Sequence, residues 1–433
     1  MIMKIKIILF FLTFSQLTLA NGLASKSFEA IWSEVFQKSY QQKAIALDKE
    51  ASALSLSRAN RHWLPRIYVA GQWFSTNDST QVFFTNLGQR SIGQSDFLPS
   101  DLNSPGRKNF KTGNLGIDLP LYEGGMKSSQ TSMFELLVKA SEFEIKAKKS
   151  EEYAELSRQY GGILVNTQNE QHLLDLRKNL EKIINNYQLG SQNNLIGHSG
   201  LLGLKGVGNR IEGMLYEFEL KISSAKQWIN TKTEVDENWI PNTLQNLKDF
   251  LNENLAQTSA QSFSSMMLAQ ELKVKTLDDA KNMEKARYLP RIGLFAQNNI
   301  YSGSRDTASA QAYGLYLMWD LFNSESFGKV GEANAKAMAA HAKLQAGKQE
   351  EKIMLDQLLL AKKTLEKNLD LLDNSDNLLK EQTRNAMKLF SSGMLSALQL
   401  AEVINRRVDL LETKNKAEAQ YLDVYSRLYQ INN

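Results

Sequence analysis

Trp63-Leu64-Pro65-Arg66-Ile67 returns in the second half of the chain as Tyr288-Leu289-Pro290-Arg291-Ile292. Each copy follows a polar, helix-like stretch and opens an extended segment, as proline does at a helix-to-strand junction. A second echo sets Leu115-Gly116-Ile117-Asp118-Leu119-Pro120-Leu121-Tyr122 against Leu315-Tyr316-Leu317-Met318-Trp319-Asp320-Leu321-Phe322, with large apolar residues at alternate positions. That is strand periodicity. Both copies run on into Ala, Glu, Lys, Leu and Gln, the composition of extended helices. A third echo pairs Tyr187, three residues before Gly190, with Phe390, three before Gly393; Gly200, in Ser199-Gly200-Leu201, matches Gly393 equally well. Each half therefore reads helix, strand, strand, long helix, turn, helix, an internal repeat that decides the fold. The halves are residues 21–230 and 259–433, with hairpins at 64–122 and 289–322, joined through 231–258, where Trp239-Ile240-Pro241 interrupts the pattern.

The long helices need partners. No proline occurs from about Met126 to Asn185 or from Glu325 to Phe390, and at 1.5 Å per residue each stretch spans on the order of 90 Å. Such a helix is stable only with a buried seam. Leu358, Leu365, Leu372, Leu379 and Ala386 recur at heptad spacing, and Ile404, Val408, Leu411, Leu422, Tyr425 and Tyr429 continue the theme in the last helix.

The N-terminus, with Lys4, Lys6, an apolar run Ile7–Leu12 and Thr18-Leu19-Ala20, predicts a secretory signal peptide over residues 1–20. An exported chain without cysteine relies on packing and assembly rather than disulfides. The formal charge of +4 includes the two signal lysines, and nothing in it suggests a nucleic-acid partner. After the signal no stretch approaches 18 uninterrupted apolar residues. A closed β-barrel is then the way left to span a membrane.

Extended segments are predicted at Ile67–Ser75, Lys111–Leu121, Ile292–Tyr301 and Gln311–Leu321, close to the 9 to 11 residues a tilted strand needs to cross a bilayer. Four strands cannot close a barrel, so their free edges require other copies of the chain. Trp63, Tyr68, Trp73, Phe74, Tyr122, Tyr301, Tyr313, Tyr316, Trp319 and Phe322 cluster in and beside them, as interfacial girdles or as the packing of a soluble β-core. Residues 76–110, rich in Ser, Asn, Asp, Gly and Gln, read as a long surface loop, and 302–310 as a short polar one.

Taken in order, the duplicated Leu-Pro-Arg-Ile segments, the junctions Asp118-Leu119-Pro120-Leu121-Tyr122-Glu123-Gly124-Gly125 and Trp319-Asp320-Leu321-Phe322-Asn323, and the turn Phe390-Ser391-Ser392-Gly393 resemble the TolC-type outer-membrane factor family across the mature chain. The resemblance implies a mainly α fold with β: a homotrimer whose four strands per protomer close a twelve-stranded outer-membrane β-barrel, continuous with a long periplasmic α-helical coiled-coil barrel. It implies an exit duct of a tripartite efflux or type I secretion system, embedded in outer-membrane lipid and served by a periplasmic adaptor (membrane fusion protein) and an inner-membrane pump. Adaptor docking falls by resemblance on the tips Ser199-Gly200-Leu201 and Ser392-Gly393-Met394. An acidic pore constriction falls on Gln399 and Glu402, where only one acid remains; Glu402 either faces the lumen or pairs with Arg406 at i,i+4 spacing.

Catalytic and metal chemistry are not indicated. His62, His172, His198 and His341 are scattered and lack zinc-site spacing. The stretch 197–206 lacks the Gly-Lys-Ser/Thr ending of a phosphate loop. No cofactor is implied. The alternative of another class is a soluble periplasmic coiled-coil adaptor or scaffold.

Overall fold

The computed structural model describes residues 24–187, 195–233, 239–241, 245–256 and 263–433. The signal peptide, Gly190 and parts of the 231–258 joint lie outside these residues. In chain order the elements are β1 (Ala24–Lys26), α1 (Phe28–Lys38), α2 (Tyr40–Ala59), β2 (Arg66–Thr76), α3 (Ser79–Gly88), α4 (Pro99–Asn103), β3 (Lys108–Glu123), α5 (Met126–Asn185), α6 (Leu195–Thr233), β4 (Trp239–Pro241), α7 (Leu247–Asn254), α8 (Ser265–Ala286), β5 (Arg291–Gly303), β6 (Thr307–Met318), α9 (Lys329–Ser391) and α10 (Ala397–Asn432). Among the described residues no helix is long and apolar enough to cross a membrane.

The chain divides into two compact units. The first holds residues up to Lys38, Glu155–Leu255 and Thr364–Asp423. Its helices bury Leu173, Leu176, Leu180, Leu204, Val207, Ile211, Leu400, Ile404, Val408 and Leu411 in one core, and each such side chain is worth about 1.5–3 kcal/mol on burial. A second, aromatic core stacks Tyr160 on Phe250 and Trp239, with Phe28 edge-on, beside the parallel pair β1–β4.

The second unit holds Ser39–Ala154, Ala256–Lys363 and Val424–Asn433. Its sheet is antiparallel throughout, in the order β2-β3-β5-β6. The proline-marked starts fall where the sequence put them. β6 instead ends at Met318, so Trp319-Asp320-Leu321-Phe322 leaves the ladder; the Trp319 indole donates to the Tyr288 carbonyl, 3.1 Å away, as the chain turns toward α9. The expected loop 302–310 is a tight hairpin closed by Gly303 N–H to Asp306 O. The expected surface loop 76–110 carries helices α3 and α4 and a 3₁₀ turn at Gln94–Phe97.

The repeat also shows in details the sequence reading missed. Ser39 and Ser264 each lie 26 residues before the proline of their half. Each N-caps its helix, accepting from Gln42 N–H and Met267 N–H, and each donates its hydroxyl to a glutamate of the following long helix, Glu152 at 2.6 Å and Glu351 at 2.5 Å. A cap of this kind is worth about 1 kcal/mol.

Candidate functional site: a two-faced sheet and a helical tip

Strand alternation assigns every sheet residue to one of two faces. The register places Ile67, Val69, Trp73, Leu115, Ile117, Leu294, Ile300, Tyr313, Leu315 and Leu317 together on one face. These side chains are between 40 and 86 % exposed. The opposite face carries Gln72, Thr112, Asn114, Gln297 and Asn299 with small residues at Ala308, Ala310 and Ala312. Asn114 donates to Asn299 across the strands at 2.7 Å. A soluble half-buried sheet does the opposite, hiding Leu, Ile and Val and presenting amides to water. An apolar outer face backed by a polar inner one is the pattern of a membrane barrel wall. At the end nearest the long helices, Trp63, Trp319, Leu321 and Phe322 stand exposed, as an interfacial girdle requires.

The second-half tip is a well-formed turn. Met394 N–H reaches Leu389 O at 2.9 Å and Gly393 N–H reaches Phe390 O at 3.0 Å, the paired bonds of a Schellman cap. Gly393 takes φ +77 there, a conformation that costs other L residues about 1–2 kcal/mol. Ser396 then starts α10: its hydroxyl accepts from Gln399 N–H at 3.3 Å, and Gln399 Oε1 accepts from Ser396 N–H at 3.0 Å, a reciprocal capping box. The Ser-x-x-Gln spacing of 396–399 could have announced it. Tyr187 stacks on Phe390 at 5.8 Å and donates to Gly197 O, so the third sequence echo brings its two rings together.

The first-half turn is not at Ser199-Gly200-Leu201. Those residues lie inside α6. Gly200 is buried where a Cβ would stand 2.6 Å from that of Ala397, so this glycine lets α6 approach α10 rather than reverse the chain. Local composition favoured a turn, and helix packing overrode it.

Gln399 and Glu402 both sit exposed on α10. Gln399 is engaged by Ser396, and Glu402 pairs with Arg406. Deeper in the same unit, His172 Nδ1, Asp376 Oδ1 and Arg407 Nε are buried without hydrogen-bond partners, and Asp376 and Arg407 approach only to 3.8 Å. Burial holds the His172 imidazole below its ordinary pKa, opposed by Asp376 and reinforced by Lys414, Arg407 and Lys380. Among the described residues no His/Cys/Asp/Glu group could hold a metal.

No family model matches the sequence, and no curated protein resembles it in sequence. Solved structures do resemble it. The outer-membrane channel OprN superposes with a TM-score of 0.75 at 14% identity, covering 93% of this chain and 89% of that one. This chain has the outer-membrane channel fold. The Campylobacter jejuni CmeC outer membrane channel gives a TM-score of 0.74 at 14% identity over 93% of this chain and 84% of CmeC. The open state of the Neisseria gonorrhoeae MtrE outer membrane channel gives 0.72 at 13% identity over 93% and 88%.

Proposed function

We propose that the protein is an outer-membrane exit duct of a tripartite efflux or type I secretion system, acting as a homotrimer and conducting passively. The observation that carries this is the inverted sheet, whose Leu, Ile and Val side chains are exposed on one face while Asn114, Gln297 and Asn299 gather on the other. It disfavours the soluble adaptor or scaffold. β2 and β6 are free edges of 11 and 12 residues, and unpaired backbone groups in lipid cost several kcal/mol each. With four antiparallel strands, β6 of one copy runs antiparallel to β2 of the next, so three copies close twelve strands with every ladder of one type.

The helices α5 and α9 follow the sheet strands directly and would form the periplasmic helical barrel, two duplicated halves (21–230 and 259–433) joined through 231–258. The tip at Ser392, Gly393 and Met394 would meet a periplasmic adaptor, with an inner-membrane pump supplying energy. Ser199, Gly200 and Leu201, on α6 close to that turn, would contribute through a helix surface. Glu402, with Gln399 beside it, would line the narrowest passage. No catalytic or cofactor-dependent step is part of this reading.

The first test is the mass of the protein extracted from outer membranes in mild detergent, before and after boiling. A heat-sensitive trimer in the outer-membrane fraction is the expected result; a soluble, detergent-independent monomer would end the barrel reading.

A further inference from the structure

The segment between β2 and β3 folds onto the sheet, and the register tells which face it covers. α3 buries Val82, Thr85, Asn86 and the wholly enclosed Gln89. Gly88 lies flat on the ring of Tyr301, where a Cβ would come within 2.7 Å of it. Gln89 and Phe110 both close on Gly303, where a Cβ would clash with the Gln89 amide and come within 3.0 Å of the Phe110 ring. Tyr301, Gly303 and Phe110 alternate with Ile300 and Lys111 and share a face with Asn299 and Thr112. That is the polar face.

Polar ties fix the segment there. Arg305, in the β5–β6 hairpin, grips the buried Asp96 through both terminal guanidinium nitrogens at 2.7 and 2.8 Å and also donates to Ser91 O. Asp96 further accepts from Gly93 N–H at 2.8 Å. These bonds, the Arg305 one first, hold its carboxyl below the usual range. Arg90 reaches across to the Ser309 carbonyl. All of this lies at the end of the sheet away from α5 and α9.

On the side of α3 turned from the sheet stand Phe84 and Leu87, 61 % and 49 % exposed. Phe97, whose ring meets Phe83 edge-on, and Leu98 are exposed beside them. Large apolar side chains bared toward a water-filled lumen are unfavourable unless something covers them. The size of the barrel says what does. Twelve strands spaced about 4.8 Å apart and tilted about 40° give a backbone radius of roughly 12 Å. Three helices about 10 Å thick in mutual contact have their axes about 6 Å from their common axis and reach out to about 11 Å, so three of them laid inside the rim fill it and touch.

We propose that the β2–β3 segment forms a distal constriction: the three α3 helices of the trimer converge on the axis at the outer mouth, Phe84 and Leu87 of each copy packing on those of the other two. The occupant of the apolar surface is thus two further copies of this chain. The mouth closes only in the trimer, and cargo leaves by displacing these side chains, so the segment sets a size limit separate from any gate at the helical tip. This rests on the trimeric duct reading.

The natural absence of cysteine gives a clean test. Full-length chains carrying Leu87→Cys or Phe84→Cys are expressed into outer membranes, oxidised, and run on non-reducing gels after boiling, with Tyr313→Cys on the lipid face as control. The expected result is that most protein carrying either axial cysteine runs as a covalent dimer, and the Tyr313→Cys chain as a monomer. Monomers at both axial positions, in protein whose unboiled form is a trimer, would overturn the constriction and leave the duct standing. Equal cross-linking at Tyr313 would also overturn it. Loss of the trimer in the unsubstituted protein would take down the duct reading and the constriction with it.

Discussion

Replacing Leu315 with arginine tests the assignment of the two sheet faces. Leu315 lies opposite Leu294, at the middle of the apolar band that runs from Ile292 to Ala296 on β5, and is 62 % exposed in the protomer. An arginine at the bilayer midplane of a barrel costs about 2–4 kcal/mol, falling to about 0–1 near the interfaces. At about 1.4 kcal/mol per factor of ten, the midplane cost shifts each protomer's folding equilibrium roughly 30- to 700-fold. Gln311 shares the face but lies four residues nearer the outer end, roughly 13 Å along the strand. Gln311→Arg should therefore cost little. Ala312 faces the polar side, opposite Gln297, and Ala312→Arg should leave stability nearly unchanged while altering conductance. The assay is urea unfolding from thin bilayers, read by tryptophan fluorescence, together with the temperature at which the trimer band disappears on gels. A flat response across the three sites, or a larger loss at Ala312 than at Leu315, would refute the face assignment.

The pH dependence of the helical unit should carry a signature of His172. Its pKa is depressed by burial, so the unfolded chain binds the proton more readily, and stability is full above about pH 6.5 and falls as pH drops below it; His172→Gln should flatten the melting temperature across pH 6.5 to 5. Gly393→Ala should destabilise the tip by about 1–2 kcal/mol through backbone strain alone, since nothing lies within 4 Å of the added methyl; Gly393→Asn should cost less, and equal losses would count against the Schellman cap as the cause. Glu402→Ala should reduce cation selectivity in planar bilayers if the three carboxylates face the lumen, whereas an unchanged reversal potential would assign Glu402 to its pair with Arg406 alone.

The duplicated proline-marked strand starts, the period-two runs and the proline-free helical stretches were legible because each is local. Pro65 and Pro290 fix a backbone angle wherever they stand, and 60 residues without a proline from Met126 fold as one helix. The heptad seam was legible for the same reason, and its ends Leu358 and Ala386 are buried. The glycines of α6 were misread because a glycine tolerates a turn and a close helix contact equally, and only the presence of Ala397 beside Gly200 decides between them. Segment 76–110 was misread because its polar composition describes the residues facing water, while its fold depends on Tyr301, Phe110 and Arg305 from distant parts of the chain. The sequence by itself determined that four strands alternate and that long helices follow them. Which face of the sheet was polar, and that a helical segment lies across it, depended on register, because a shift of one residue would exchange the two faces.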